Sequence, residues 1–163
     1  MIFSDYRIGI GRDIHRLVPG RPFMLGGVRL EADFGEAGHS DGDVLCHAVI
    51  DAVLGAAGIG DVGELFPPDD PKWEDACSID LLKLCVSVQL KLSPWRISNI
   101  DCVVSCEKPA VLPYRTAIRQ SLAQALEIGD GQVFVKGKTG EGMGDIGEGR
   151  AVEALAVCLL EKA

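Results

Sequence analysis

Asp13-Ile14-His15 sets a carboxylate and an imidazole one residue apart. In extended backbone alternate side chains share a face, so the two groups converge. His47, near the start of a predicted helix, is placed to supply a third ligand from across the strand. One carboxylate and two imidazoles leave a coordination position open, the pattern of a catalytic zinc site. The same residues would also serve as a surface His–Asp pair beside a solvated helix histidine. All three histidines of the chain, His15, His39 and His47, fall in its first third beside polar, glycine-containing turns, and that clustering sets the two readings level.

Gly137-Lys138-Thr139-Gly140-Glu141 has the ending of a phosphate-binding loop, but the full pattern needs glycine at position 132, where Gln132 stands. What remains is backbone N–H groups and the Thr139 hydroxyl, suited to phosphate oxygens, with Glu141 suited to a hard cation. Gly142-Met143-Gly144-Asp145-Ile146-Gly147 matches the glycine spacing of a dinucleotide fingerprint. Too little chain follows for the second half of such a unit, so a tight loop is expected there. Asp61 to Pro71, rich in Asp and Pro, reads either as an ordered acidic loop or as a flap over a site.

The elements that must position these groups follow from periodicity. Strands are predicted over Tyr6–Arg12, Ile100–Cys106 and Val133–Lys138, and a hairpin over Phe23–Leu30 turning at Gly26-Gly27. Helices are predicted over Val44–Ala57, opened by a Ser40/Asp43 capping box and stopped by Gly58, and over Ser78–Leu90, capped by Ser78. Two more are predicted over Tyr114–Leu126 and Arg150–Lys162. Strands alternating with helices give an α/β (α+β-like) fold, a single domain over residues 1–163.

With 163 residues, the chain can bury a core without disulfides or metal, and 47% hydrophobic with 25% charged residues is a globular composition. A net charge of -8 argues against nucleic acid and anionic membranes as partners. It does not exclude an anionic ligand, because bound cations and backbone N–H groups can make one pocket positive. No apolar run reaches the roughly eighteen residues of a membrane span. Met1–Arg7 lacks the basic and apolar regions of a leader, so a cytoplasmic location is expected. The six cysteines include no Cys-x-x-Cys pair, and Cys102 and Cys106 in one strand would sit about 13 Å apart, too far for a bridge. They read as buried, reduced thiols.

In this order the motifs resemble the 2-C-methyl-D-erythritol 2,4-cyclodiphosphate synthase family, over nearly the whole chain from about Arg7. The strongest stretch is His39-Ser40-Asp41-Gly42-Asp43-Val44-Leu45-Cys46-His47-Ala48, followed by Asp51-Ala52-Val53-Leu54-Gly55-Ala56-Ala57. Gly11-x-Asp13-x-His15, Leu65-Phe66-Pro67, Asp70-Pro71-x-Trp73 and Lys136-x-Lys138-Thr139-x-Glu141 complete it. The resemblance implies a mixed sheet packed on one side by helices, and a homotrimer with the sheets around the threefold axis and active sites between subunits. It implies Asp13, His15 and His47 as zinc ligands and Glu141 as ligand of a second divalent ion, magnesium or manganese. His39 and Thr139 match catalytic residues that stabilise the transition state. Ser40, Asp61, Gly63, Phe66, Asp70, Cys106, Pro109, Leu112, Lys138 and Arg150 match substrate-binding positions, with Cys106 through Leu112 forming part of a cytidine pocket. The chain departs from the family pattern at Pro68, where an acid is usual, and at Ala110, where a basic residue is usual. It departs again at Gly147-Glu148-Gly149-Arg150, in which Arg150 takes the place of a displaced arginine.

The implied reaction is metal-assisted intramolecular phosphoryl transfer in non-mevalonate isoprenoid precursor biosynthesis. The 2-phosphate of 4-diphosphocytidyl-2-C-methyl-D-erythritol 2-phosphate attacks the β-phosphorus and CMP leaves. Two rivals share the residues. A non-haem iron oxygenase also uses two histidines and a carboxylate, and retained iron with oxygen-dependent turnover would mark it. A nucleotide-binding module without chemistry would bind CMP yet release none from substrate.

Overall fold

Alternating exposed and buried residues from Tyr6 carry a strand well past Arg12, and β1 runs Tyr6–Pro19. The protein is described by a computed structural model over residues 5–38, 40–67 and 69–163. After β1 come β2 (Phe23–Leu25) and β3 (Val28–Leu30), a hairpin turning at Gly26 and Gly27. Both glycines have positive φ, 59° and 75°, as the tight mirror-image turn requires. β4 (Phe34–Glu36) is followed by α1 (Val44–Ala57), α2 (Val62–Leu65), α3 (Ser78–Leu84) and β5 (Trp95–Ser105). α4 (Arg115–Ala125), β6 (Val133–Lys138), α5 (Gly144–Gly147) and β7 (Ala151–Lys162) complete the order.

The main sheet has the strand order β4-β1-β7-β5-β6, with only the β5–β6 pair parallel. This is a single-domain α/β architecture, a mixed sheet covered by helices on one side. α1 lies directly on β1 and β7 and α4 on β6, with α3 packed against both helices. Gly9 and Gly11 make that contact close. A Cβ on Gly9 would fall 2.0 Å from the Ala52 carbonyl oxygen, and one on Gly11 would fall 2.0 Å from that of Ala48. The strand therefore sits against the helix backbone along Ala48, Ala52 and Ala56, residues that follow one another on one helix face.

The opposite sheet face carries exposed apolar residues among charged ones. Ile8 is 74% and Ile10 67% exposed, and Ile14, Phe134 and Val157 are also exposed. Ile10, Val157, Asp101 and Phe134 form one rung across four strands. Among the described residues no helix is long and apolar enough to cross a membrane.

Several sequence expectations need correction. Arg150–Lys162 is not a helix: Ala151–Lys162 is a central strand paired with β1 on one side and β5 on the other. Its Ala, Leu and Glu content favours a helix intrinsically, but its small buried residues Ala154, Ala156 and Cys158 give α1 room on the sheet, and pairing on both edges overrides propensity. The second helix is α-helical only to Leu84, then widens into a π-turn over Cys85–Gln89 and tightens over Leu90–Leu92. Its cap is Cys77, not Ser78. Five cysteines are buried, but Cys77 is exposed; all six are free. Burial pushes the thiols of Cys85, Cys102 and Cys158 up to about 12, so they stay protonated and unreactive at neutral pH.

The Ser40/Asp43 capping box does not form. Asp43 itself is the cap of α1 and is wholly buried. It accepts from the N–H groups of Gly26 (2.9 Å), Gly27 (2.6 Å) and Cys46 (3.0 Å), tying the hairpin turn to the helix start. Asp43→Ala removes a cap worth ~1 kcal/mol and strands donors at ~1–3 kcal/mol each, so a loss of about 3 kcal/mol or more is expected. Urea denaturation measures it, and a loss below about 1 kcal/mol would contradict this role for the carboxylate.

Candidate metal centre and ligand cavities

Period-two alternation and the glycine contacts put Gly9, Gly11, Asp13 and His15 on the helix-facing side of β1. His47, in the first turn of α1, meets them there. Asp13 Oδ2 lies 2.9 Å from His15 Nε2 and 3.0 Å from His47 Nδ1, while Asp13 Oδ1 accepts from the Ile14 N–H. The two rings meet edge to face at 5.3 Å. One ligand atom from each of Asp13, His15 and His47 lies within 4.8 Å of the others. The sequence reading of these three as converging ligands therefore holds geometrically, and the donor set fits a divalent cation.

The far nitrogens are also engaged. His15 Nδ1 is 2.6 Å from the Gly42 carbonyl oxygen and 3.0 Å from Glu36 Oε2. Glu36 is wholly buried; its Oε2 also accepts from the Val44 N–H, and its Oε1 has no partner among the described residues. His47 Nε2 faces the hydroxyls of Ser78 (3.0 Å) and Ser40 (3.3 Å). Such outer partners orient metal-binding imidazoles.

Electrostatics follow from these contacts. Burial alone would raise the Asp13 carboxyl, but hydrogen bonds to His15 and His47 hold it well below the usual carboxylate range. Burial would lower His15, yet its bonds to Asp13 and Glu36 carry it up to about 10. Burial takes Glu36 up to about 8 against the pull of His15. Metal-free His15 thus holds a proton at neutral pH that a bound cation must displace from Nε2. Cation binding should release protons, and affinity should rise with pH toward about 10. Calorimetry in buffers of different ionisation heat tests this; identical heats in every buffer would contradict it.

The triad lies beside a cavity of about 400 Å³ lined by His15, Ser40, His47, Gly63, Phe66 and Trp73, among others. Phe66 packs edge to face on Trp73 at 5.0 Å. Of the Asp61 to Pro71 segment, Val62, Gly63 and Phe66 therefore form part of the wall of this cavity. Asp61 caps α2 and Asp70 caps the turn Pro71–Trp73, so both carboxylates are partly engaged with their own backbone. His39 and Pro68 lie outside the described residues.

A second cavity, about 220 Å³, is lined by Cys106, Ala110, Val111, Leu112, Arg115, Gly137, Lys138 and Thr139. It brings Cys106, Leu112, Lys138 and Thr139 together, with the cis Lys108–Pro109 bond in the same loop although Pro109 does not line it. Thr139 donates to Glu141 Oε1 at 3.2 Å. Arg150 is engaged by Asp145 and Glu148, and lines a third hollow with His15 and Arg16. Among the described residues none lines both the first and second cavities.

A profile of the YgbB family matches residues 6–161. The chain belongs to the YgbB family. A YgbB relative from Treponema denticola, named 2-C-methyl-D-erythritol 2,4-cyclodiphosphate synthase, is 54% identical over 94% of this chain and 95% of its own length. The CDP complex of IspF from Plasmodium falciparum superposes with a TM-score of 0.84 at 34% identity, covering 99% of each chain. The bifunctional IspDF of Campylobacter jejuni gives 0.92 at 35% identity; it matches 97% of this chain, which spans 42% of that longer one.

In this YgbB chain, sequence reasoning missed Glu36, Asp41 and Ser78 as part of the metal centre. Asp41 Oδ1 lies 2.5 Å from Ser78 Oγ, and Ser78 lies 3.0 Å from His47. Ser78 drew notice only as a helix cap, and Glu36 carried no motif at all.

Proposed function

We propose that this chain converts 4-diphosphocytidyl-2-C-methyl-D-erythritol 2-phosphate to 2-C-methyl-D-erythritol 2,4-cyclodiphosphate and CMP. The observation that carries the reading is the convergence of Asp13, His15 and His47 beside the cavity of Ser40, Gly63 and Phe66. Relatives that bear that enzyme's name support it. The bond formed joins a 2-phosphate oxygen to the β-phosphorus. The bond broken joins the β-phosphorus to the oxygen of CMP, which leaves with the electron pair. The attacking and departing phosphates are both anionic, so no residue has to move a proton, and the demands are alignment and charge neutralisation.

Asp13, His15 and His47 would hold zinc, and Glu141 would hold a magnesium or manganese ion. When bound, these ions supply Lewis-acid polarisation of the phosphoryl group and neutralise charge on the departing CMP. Thr139 and His39 contact the diphosphate as charge shifts in the transition state. Ser40 takes the erythritol phosphate, while Asp61, Gly63 and Phe66 hold the methylerythritol. Cys106, Pro109, Leu112 and Lys138 take the cytidine end, with Asp70 and Arg150 completing the substrate contacts.

The reading calls for the nucleotide cavity of one subunit beside the metal centre of another, and among the described residues the two cavities share none. A homotrimer with its sheets around the threefold axis meets that need and covers the exposed Ile8, Ile10 and Ile14. Sedimentation at micromolar concentration should give a trimer; a monomer would contradict this arrangement. The chain acts as one cyclodiphosphate synthase domain over residues 1–163, in the cytoplasm.

The decisive experiment is incubation with the substrate and divalent metals, with and without chelator, followed by phosphorus NMR. Cyclic diphosphate and CMP are expected with metal and neither with chelator. Bound CMP without conversion would leave a nucleotide-binding module instead.

A further inference from the structure

His15 and His47 face Asp13 through different nitrogens, Nε2 in one and Nδ1 in the other. A metal ligand nitrogen must be free of its proton, so each ring must keep a proton on the opposite atom. For His15 the reason is direct: the Gly42 carbonyl oxygen at 2.6 Å can only accept, which places the proton on Nδ1. For His47 the partners are two hydroxyls, Ser78 Oγ at 3.0 Å and the more distant Ser40 Oγ at 3.3 Å, and a hydroxyl can donate as readily as accept. Ser78 Oγ, 3.0 Å from His47 Nε2, therefore decides nothing unless its own hydrogen is committed elsewhere.

It is committed. Ser78 Oγ lies 2.5 Å from Asp41 Oδ1, and Asp41 Oδ2 accepts the Ser78 backbone N–H at 3.2 Å. The carboxylate thus straddles the residue. Ser40 Oγ, the other acceptor in reach, is farther at 3.3 Å and uncharged. Ser78 is wholly buried, so no solvent competes for its hydroxyl.

We propose that Ser78, with its hydroxyl hydrogen drawn to Asp41, is a positioning residue that keeps the His47 proton on Nε2 and leaves Nδ1 free for the metal. The inference rests on reading Asp13, His15 and His47 as a metal centre. It assigns to the first residue of α3, and to Asp41 in the loop before α1, a task that touches neither substrate nor metal.

The test uses zinc itself as the probe, titrated into the metal-free protein against a chromophoric chelator. Ser78→Ala and Asp41→Asn should each weaken zinc binding by about 10- to 100-fold, as removal of an outer partner does. In Asp41→Asn the amide can donate to Ser78 Oγ and turn the hydroxyl hydrogen toward His47. Ser78→Thr, which keeps the hydroxyl, should stay close to the original affinity, and thermal unfolding of the metal-free variants separates loss of fold from loss of affinity. Nitrogen-15 NMR of the zinc-loaded, unsubstituted protein reads the assignment with no variant at all. His47 should show metal on Nδ1 and a slowly exchanging proton on Nε2. Zinc on Nε2, or Ser78→Ala and Asp41→Asn binding within twofold of the original protein, would overturn the proposal. If the unsubstituted protein binds no zinc, the metal centre itself falls; if it does and the variants match it, only the role of Ser78 falls.

Discussion

His47→Ala is expected to abolish turnover and to weaken cation binding by more than the about 10- to 100-fold that loss of an outer partner costs. Asp13 would keep His15, but the third ligand would be gone and the remaining pair could not enclose the ion. The fold should survive. His47 occupies the first turn of a helix whose other residues make the core contacts, and alanine is the most favourable helix residue. Metal titration, CMP release and a thermal melt on the same preparation separate these effects. Normal metal-dependent turnover in the variant would sink the assignment of His47 as a ligand.

Gly11→Val should be strongly destabilising. The new Cβ would meet the Ala48 carbonyl oxygen at 2.0 Å and the Ala52 nitrogen at 2.7 Å, both backbone atoms that cannot rotate away. Relief requires moving α1 off β1, and overpacking of that kind costs about 3 kcal/mol or more. The displacement also separates His47 from Asp13 and His15, so whatever folds should bind zinc poorly. Gly131→Ala is the control: nothing lies within 4 Å of its added Cβ, and its effect should stay within about 0.5 kcal/mol. Equal urea midpoints for the Gly11 and Gly131 variants would refute the close contact.

The convergence of Asp13 and His15 was legible because a two-residue period leaves them no other option in extended backbone. The helix bearing His47 was legible from its apolar spacing and its Gly58 stop. β7 was not, because its Ala, Leu and Glu content carries a helical preference and only pairing with β1 and β5 reverses it. Nor were Glu36, Asp41 and Ser78. Their role depends on which atoms the loops bring within 3 Å or so, and hydrogen-bond partners distant in the chain leave no periodic trace. The misassigned cap shows the same limit: Ser40 and Asp43 both fit the cap position by type, and only the hairpin turn at Gly26 and Gly27 selects Asp43.

Because Gly9 and Gly11 abut main-chain atoms of α1, no trimming of a neighbouring side chain can make room for a larger residue at either position. Substitution is closed off singly and also in compensating pairs. The distance between the two halves of the metal centre is thereby inherited through two residues that would never contact the ion.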